Sequence, residues 1–218
     1  MPTIAHDVTI DADGQRLAGT RSVPEAARGI VVFAHGSGSS RHSPRNIQVA
    51  EVLQRAGIAT LLFDLLTTDE ERRDAVDGSL RFDIALLSRR LDAAVEAVGN
   101  DPRTASLPVG LFGASTGAAA ALETAARLPT VRSVVSRGGR PDLAGAALDD
   151  VTAPVLLIVG ERDEQVLALN IAAARRLRGE HELSVVPGAT HLFPERGALD
   201  EVAQRATHWF VRTLAGPG

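Results

Sequence analysis

The chain contains no cysteine, no lysine and no tyrosine, and all 23 of its basic residues are arginine. Without cysteine it has no disulfide, no thiolate nucleophile and no zinc site that uses sulfur. Without lysine it has neither a Schiff base nor a Walker A motif, and without tyrosine it has no phenolic acid. Covalent chemistry in this chain therefore depends on serine, threonine, histidine or a carboxylate.

Long apolar runs and an excess of positive charge are also missing. The 218 residues carry a formal net charge of -4, which gives no basic surface for nucleic acid. Residues 1–14 lack the apolar core of a signal peptide, and no run reaches the roughly 18 residues of a membrane helix. We therefore expect a cytoplasmic protein that binds neither membranes nor nucleic acid. Its length and its hydrophobic content of 44% predict one domain, residues 1–218.

The pattern of short apolar runs predicts an α/β fold. Residues 7–10 and 16–21 flank an Asp-Gly turn and predict an antiparallel hairpin. After this hairpin, short apolar runs alternate with helical patterns, which predicts a parallel sheet covered by helices on both faces. The predicted parallel strands are residues 29–34, 59–63, 108–112, 131–135, 154–159 and 183–186. The predicted helices are residues 43–56, 82–98, 118–128, 164–177 and 199–214.

A Gly-Ala-Ser-Thr-Gly motif at residues 113–117 joins one predicted strand to the helix that follows it. G-x-S-x-G at such a junction is typical of a nucleophile elbow, in which a strained turn exposes the serine and only glycine fits on either side. Ser115 is therefore the candidate nucleophile. The motif also resembles the glycine-rich turn of short-chain dehydrogenases, but those enzymes use a tyrosine and a lysine. A second candidate nucleotide motif, at residues 36–41, ends in arginine where the third glycine belongs.

An activated serine needs a base, and the base needs a carboxylate to orient it. Among six histidines, His191 follows a predicted strand at the edge of the sheet where ligands bind. Asp163 lies at the end of the preceding strand, with Glu161 and Glu164 as competitors for the same role. We favour Asp163 because Glu161 falls in the strand exit and Glu164 begins the next helix. The order Ser115, Asp163, His191 is that of α/β-hydrolases.

Acyl transfer also needs two backbone N–H groups that bind the developing oxyanion. The residue after the nucleophile, Thr116, provides one of them. We assign the other to Ser37, in the Gly/Ser-rich loop that follows strand 29–34, since small residues there let the backbone approach the substrate. An ordinary flexible loop is the alternative interpretation of that segment.

With these residues the sequence resembles the α/β-hydrolase superfamily over essentially its whole length. The matching motifs are HGSGSS at residues 35–40, GASTG at 113–117, GERD at 160–163 and GATHLF at 188–193. The size and strand pattern are most similar to the dienelactone hydrolase family. This resemblance implies an α/β-hydrolase fold and a Ser-His-Asp hydrolase that needs no metal or cofactor. Members that hydrolyse dienelactone use a cysteine nucleophile, whereas this chain has Ser115.

The resemblance also has an implication for the shape of the substrate site. Many α/β-hydrolases insert a cap domain after the strand that follows the nucleophile helix, but here only residues 136–153 are available. We therefore expect no cap domain and an open site shaped by loops, including residues 65–73. Arg137 and Arg140 are candidate ligands for a carboxylate or phosphate on the substrate. The alternative is that they are solvated or pair with neighbours such as Asp142.

Two further functions stay open at this stage. A non-hydrolytic member of the fold would bind a small molecule in a regulatory role, and an acyltransferase would share the acyl-enzyme but use an acceptor other than water. The expected partner is a small ester in the principal interpretation. The sequence does not define an oligomeric state, since Trp209 and Phe210 fit either a core or an interface.

Overall fold

The computed structural model describes residues 4–215 and contains one eight-stranded sheet. Its strands lie in the order β1-β2-β4-β3-β5-β6-β7-β8. The bounds are β1 Ala5–Ala12, β2 Gln15–Ser22, β3 Ile30–Ala34, β4 Ala59–Phe63, β5 Val109–Ala114, β6 Val131–Arg137, β7 Val155–Gly160 and β8 His181–Val186. β1 and β2 are antiparallel to their neighbours, and all other pairs are parallel.

Helices cover both faces of the sheet. They are α1 Pro44–Arg55, α2 Thr68–Asp77, α3 Ile84–Asn100, α4 Thr116–Arg127, α5 Glu164–Ala174 and α6 Ala198–Leu214. Apolar residues of α1 and α6 pack on one face, and those of α3 and α4 pack on the other. The central strands are buried on both sides, which explains their continuous apolar sequence. Trp209 and Phe210 lie on the buried face of α6, in the core.

The predicted fold is confirmed: the sheet is mostly parallel, with antiparallel N-terminal strands and helices on both faces. Asp13 and Gly14 form the hairpin turn and both have positive φ, as a type I′ turn requires. Between β6 and β7 the chain forms only a 3-10 segment, Pro141–Asp150, so no cap domain is inserted there. Among residues 4–215, no helix is long and apolar enough to span a bilayer.

Some details differ from the sequence predictions. Residues 65–73 were expected to be a loop, but most of them belong to α2, a polar helix whose Thr67 and Glu70 form a capping box. The sequence did not predict α2 because this helix has no apolar stripe and so gives no amphipathic pattern. β8 begins at His181, two residues earlier than predicted, because polar residues occupy its exposed start.

The sheet order places one crevice at the carboxyl ends of its strands. From β3 the chain moves outward in one direction to β4, and then returns across β3 to form β5 and the strands beyond it. The loops that follow β3 and β5 therefore lie side by side, and such a switch point is where open α/β sheets bind ligands. The Gly/Ser-rich loop and the Ser115 turn are the two loops that meet there.

Candidate active site

Ser115 lies in a sharp turn between β5 and α4. Its φ of 51° and ψ of -119° are strained for a residue with a side chain. A Cβ at Gly113 would lie 2.4 Å from the Ala118 Cα, and one at Gly117 would lie 2.2 Å from the Ala34 carbonyl oxygen. Both neighbours must therefore be glycine, as the sequence motif predicts.

Backbone hydrogen bonds from the loop after β6 hold Ser115 in this conformation. The Ser115 N–H donates to the Arg137 carbonyl oxygen at 3.2 Å, and the Ser115 carbonyl accepts from the Arg140 N–H at 3.1 Å. A further bond, from the Ala118 N–H at 3.1 Å, ties the same carbonyl to the first turn of α4. The loop formed by residues 137–140 therefore fixes the position of the serine.

Asn170 on α5 anchors that loop. Its side chain is fully buried, and its Nδ2 donates to the carbonyl oxygens of Gly139 at 3.0 Å and Val166 at 2.8 Å. Asn170 was not predicted as a functional residue from the sequence. The available signal was a polar amide within a largely apolar helix, which indicates a buried side chain with a hydrogen-bond partner in the core. Asn170 thus acts on Ser115 through the backbone of residues 137–140.

His191 and Asp163 form a close pair. The His191 Nδ1 lies 2.6 Å from the Asp163 Oδ2, and the Asp163 side chain is only 13% exposed. Glu161 instead accepts from the Gly188 N–H at 2.7 Å, and Glu164 begins α5. Of the three carboxylates weighed from the sequence, the structure brings Asp163 to the imidazole. Because a carboxylate accepts the Nδ1 proton, the Nε2 lone pair is available to a donor.

The loop that carries His191 borders the loop that fixes Ser115. A Cβ at Gly138 would lie 3.5 Å from the Nδ1 and Cε1 atoms of the His191 ring. Within residues 4–215, no hydrogen bond joins the Ser115 hydroxyl directly to His191; this contact is often long in proteins without substrate. Glu195 accepts from the hydroxyl and the N–H of Thr190, at 2.6 Å and 3.1 Å, and so fixes the residue before His191. The hydrogen bond from the Thr190 hydroxyl holds the pKa of Glu195 below its usual value.

The two residues predicted for the oxyanion hole also meet. The hydroxyl oxygens of Ser37 and Thr116 are 3.1 Å apart, which joins the loop after β3 to the first turn of α4. A Cβ at Gly36 would lie 3.0 Å from the Ser115 Cβ and from the Ala114 carbonyl oxygen, so a larger residue would crowd the serine. The direction of the two amide groups toward a substrate stays a prediction.

A cavity of about 530 Å³ adjoins these two residues. Ser37 and Thr116 line it on the side of the elbow, and residues of α1 and α2 complete its wall. This volume lies in the usual range for small-molecule pockets. The polar lining and the position at the switch point make it the candidate substrate pocket.

His35 fixes the start of the Gly/Ser-rich loop. Its ring is buried, the Nδ1–H donates to the Gly36 carbonyl oxygen at 3.0 Å, and the Nε2 accepts from the Leu65 N–H at 3.0 Å. The neutral tautomer satisfies both contacts, whereas an imidazolium would face the Leu65 N–H with a second donor. Burial accordingly lowers the pKa of His35. The sequence analysis placed His35 in this loop but did not predict its structural role.

We expect His35 to make folding sensitive to acid. Because its pKa is lower in the folded than in the unfolded chain, the unfolded chain takes up the proton first as the pH falls below about 6.5. The free energy of unfolding should therefore decrease on the acid side, by at most about 1.4 kcal/mol per pH unit for this one proton. Urea unfolding between pH 8 and pH 5 measures this slope.

The matched variants for this measurement are His35→Gln and His6→Gln. His35→Gln should flatten the slope, since glutamine takes up no proton in this range. His6 is exposed on β1, so His6→Gln should keep the wild-type slope. Equal slopes in the wild type and His35→Gln would contradict the assignment.

The two candidate substrate-binding arginines have different surroundings. Arg140 forms two hydrogen bonds with Asp142, at 2.8 Å and 2.7 Å, which raise its pKa. The Arg137 side chain is buried, and its Nη2 donates to the Asn46 Oδ1 at 3.3 Å. Burial, with a smaller contribution from the charge of Arg45, lowers the pKa of Arg137 to about 10. Arg140 therefore pairs with Asp142, which was the alternative to substrate binding given in the sequence analysis. Arg137 instead donates to a neutral amide.

Comparison with known proteins identifies the family. The model of the family described as "Dienelactone hydrolase family" matches residues 16–215. The crystal structure of a dienelactone hydrolase from Anabaena variabilis is 53% identical, covers 97% of this chain and 99% of its own, and superposes with a TM-score of 0.96. The chain belongs to the dienelactone hydrolase family. Membership supports a hydrolase activity and confirms the resemblance seen in the sequence.

More distant and longer proteins are also similar. Est1E from Butyrivibrio proteoclasticus superposes with a TM-score of 0.80 over 96% of this chain and 99% of its own, but at 17% identity it shows the shared fold alone. A Mycobacterium tuberculosis protein named "Putative phosphoribosyl transferase" is 58% identical over all 218 residues. Those residues cover 48% of that protein, so the chain spans about half the length of the curated relatives it matches.

Proposed function

We propose that residues 1–218 form a single serine hydrolase domain that cleaves a small carboxylic ester or lactone through an acyl-enzyme. The observation that carries this proposal is the 2.6 Å contact between His191 and Asp163, in a loop that borders the loop fixing Ser115. Such an arrangement fits a nucleophile, a base and an orienting carboxylate. Family membership supports the hydrolase class, and the triad is our assignment.

The proposed reaction begins with attack on the ester carbonyl. The His191 Nε2 takes the Ser115 hydroxyl proton as the Ser115 Oγ bonds to the carbonyl carbon, and Asp163 stabilises the imidazolium that forms. The amide groups of Ser37 and Thr116 bind the oxyanion of the tetrahedral intermediate. When the ester C–O bond breaks, His191 gives the proton to the leaving alcohol. Water, deprotonated by His191, then attacks the acyl-enzyme and releases the acid and free Ser115.

The size of the cavity and the short connection between β6 and β7 favour a small substrate. The connection between β6 and β7 forms only a 3-10 segment, and the cavity beside the elbow has a volume of about 530 Å³. The cavity adjoins Ser37 and Thr116, the residue after Ser115, and no cap domain is inserted between β6 and β7. We therefore expect short acyl and alcohol groups to be preferred. The transferase name of the mycobacterial relatives belongs to proteins about twice as long, and no feature of the described residues favours that activity over hydrolysis.

Labelling with a fluorophosphonate probe tests the proposed function. The phosphorus reacts only with an activated serine hydroxyl, so peptide mapping should find the label on Ser115 in the folded protein and no label after heat denaturation. Absence of label on folded protein would oppose an active hydrolase and favour a binding protein. Analysis of the products with water and with added alcohols then separates hydrolysis from acyl transfer.

A further inference from the structure

Within residues 4–215, Arg137 is a buried cation without a carboxylate partner. Its side chain donates to the amide oxygen of Asn46, and its Nε is buried without a hydrogen-bond partner among the described residues. Burial of a guanidinium without a counterion is costly, and proteins normally pair such a charge. The backbone carbonyl of Arg137 also accepts from the Ser115 N–H, so the main chain of Arg137 lies beside the candidate nucleophile while its guanidinium reaches Asn46 on α1.

Arg45 places a second positive charge beside the first. It lies next to Asn46 in the first turn of α1, and its Nε is likewise buried without a hydrogen-bond partner in the described part of the chain. The charge of Arg45 is close enough to act on Arg137. Arg45 also lines the 530 Å³ cavity that reaches Ser37 and Thr116. The first turn of a helix adds the positive end of its dipole to the same place.

The nearby carboxylates do not neutralise these two arginines. Asp74 pairs with Arg81, and Asp64 pairs with Arg41. Glu71 lines the cavity from α2, but no salt bridge joins it to Arg45 within residues 4–215. Burial and the charge of Asp64 raise the pKa of Glu71. The cavity thus has a cationic side at α1 where, within residues 4–215, no carboxylate forms a salt bridge with Arg45 or Arg137.

We propose that Arg45, with Arg137 behind it, binds a phosphate group of the substrate. Arg45 and the N-terminus of α1 line the cavity, and the charge of Arg137, which is bonded to Asn46, adds to their positive potential. This arrangement matches a dianion better than a single carboxylate, and a guanidinium group binds phosphate in bidentate geometry. The hydroxyls of Ser39 and Ser43 also line the cavity and are available as further donors. This inference rests on the proposed function, because it names the class of ester that the domain cleaves.

Matched substrates test the proposal. The probes are 4-nitrophenyl esters of equal chain length whose acyl chains end in a phosphonate, a carboxylate or a methyl group, and a second series with these groups on the alcohol. In one series the phosphonate ester should have a kcat/KM about 10- to 100-fold above the methyl ester, the range expected for hydrogen bonds to a charged group. The carboxylate ester should lie between them. Equal values in both series, or a higher value for the carboxylate, would overturn the phosphate assignment.

Variants locate the site. Arg45→Gln should remove the preference for phosphonate, because it lowers the kcat/KM of the phosphonate ester much more than that of the neutral methyl ester, which makes no charged contact. Arg72→Gln is the matched control, since Arg72 forms an exposed ion pair on α2 and should keep the preference. A preference that survives in Arg45→Gln, or an equal loss for both esters, would contradict the proposal.

A binding measurement separates failure of this site from failure of the proposed function. Calorimetric titration of the Ser115→Ala protein with inorganic phosphate should show binding that Arg45→Gln weakens at least tenfold. Arg137→Gln should weaken it similarly where that variant folds, and Arg45→Gln alone is decisive where it does not. Phosphate binding without any ester hydrolysis would retain the site and reject the hydrolase. Hydrolysis of the methyl ester without phosphate binding would retain the hydrolase and reject the phosphate site.

Discussion

Ser115→Ala should lower kcat for ester hydrolysis by about a million-fold, to the residual rate that binding and an oxyanion hole alone provide. Alanine lacks the hydroxyl oxygen that would bond to the carbonyl carbon, and the other hydroxyl of the elbow, that of Thr116, lies 3.1 Å from the Ser37 hydroxyl. Cysteine and lysine are absent from the chain, which removes the strongest replacements. Hydrolysis of a 4-nitrophenyl ester, followed by release of the nitrophenolate, measures the loss.

The fold should persist in this variant. Alanine keeps the Cβ of Ser115, and the elbow is held by backbone hydrogen bonds to Arg137 and Arg140 that do not involve the hydroxyl. The matched control is Ser106→Ala, an exposed position before β5 at the opposite end of the sheet, which should keep the wild-type rate. A Ser115→Ala protein that folds and retains activity within tenfold would eliminate Ser115 as nucleophile.

The elbow was predictable from sequence because the glycines that it requires lie within five residues. A Cβ at Gly113 would lie 2.4 Å from the Ala118 Cα, and one at Gly117 would lie 2.2 Å from the Ala34 carbonyl oxygen on β3, so the G-x-S-x-G motif contains both requirements. The alternation of apolar runs and helical patterns likewise predicted a mostly parallel sheet, since parallel neighbours need a covering helix. Asp163 and His191 were favoured because each follows a predicted strand at its carboxyl end, and the structure has their contact at 2.6 Å.

The supporting residues were not predictable because their partners are distant in sequence. Asn170 donates to Gly139, 31 residues away, and His35 accepts from Leu65, 30 residues away. The local sequence around Asn170 and His35 does not identify either partner. Arg137 illustrates the same limit: its sequence neighbours suggested a solvated loop, whereas its place at the end of β6 directs it to Asn46 on α1. Burial of a charge is decided by packing between elements, which a single sequence does not display.

Asp163→Asn should lower kcat by about ten thousand-fold, the loss expected when the base adopts the wrong tautomer. The Asp163 carboxylate accepts from the His191 Nδ1 at 2.6 Å and so leaves the Nε2 free to take the Ser115 proton. An asparagine amide at this place donates to Nδ1 instead, which moves the ring proton to Nε2. The imidazole would then present a donor to the serine hydroxyl. The KM should change much less than kcat, because the substrate does not contact Asp163.

Glu161→Gln is the comparison that distinguishes this role from general loss of negative charge. Glu161 lies two residues away and accepts from the Gly188 N–H at 2.7 Å, a bond that the glutamine carbonyl can replace. Its kcat should therefore stay within about tenfold of the wild type, as expected for a group that the reaction does not use. If Glu161→Gln were the inactive variant and Asp163→Asn retained activity, the orienting carboxylate would be Glu161. Since both side chains flank the same turn after β7, the pair of variants decides between them in one set of measurements.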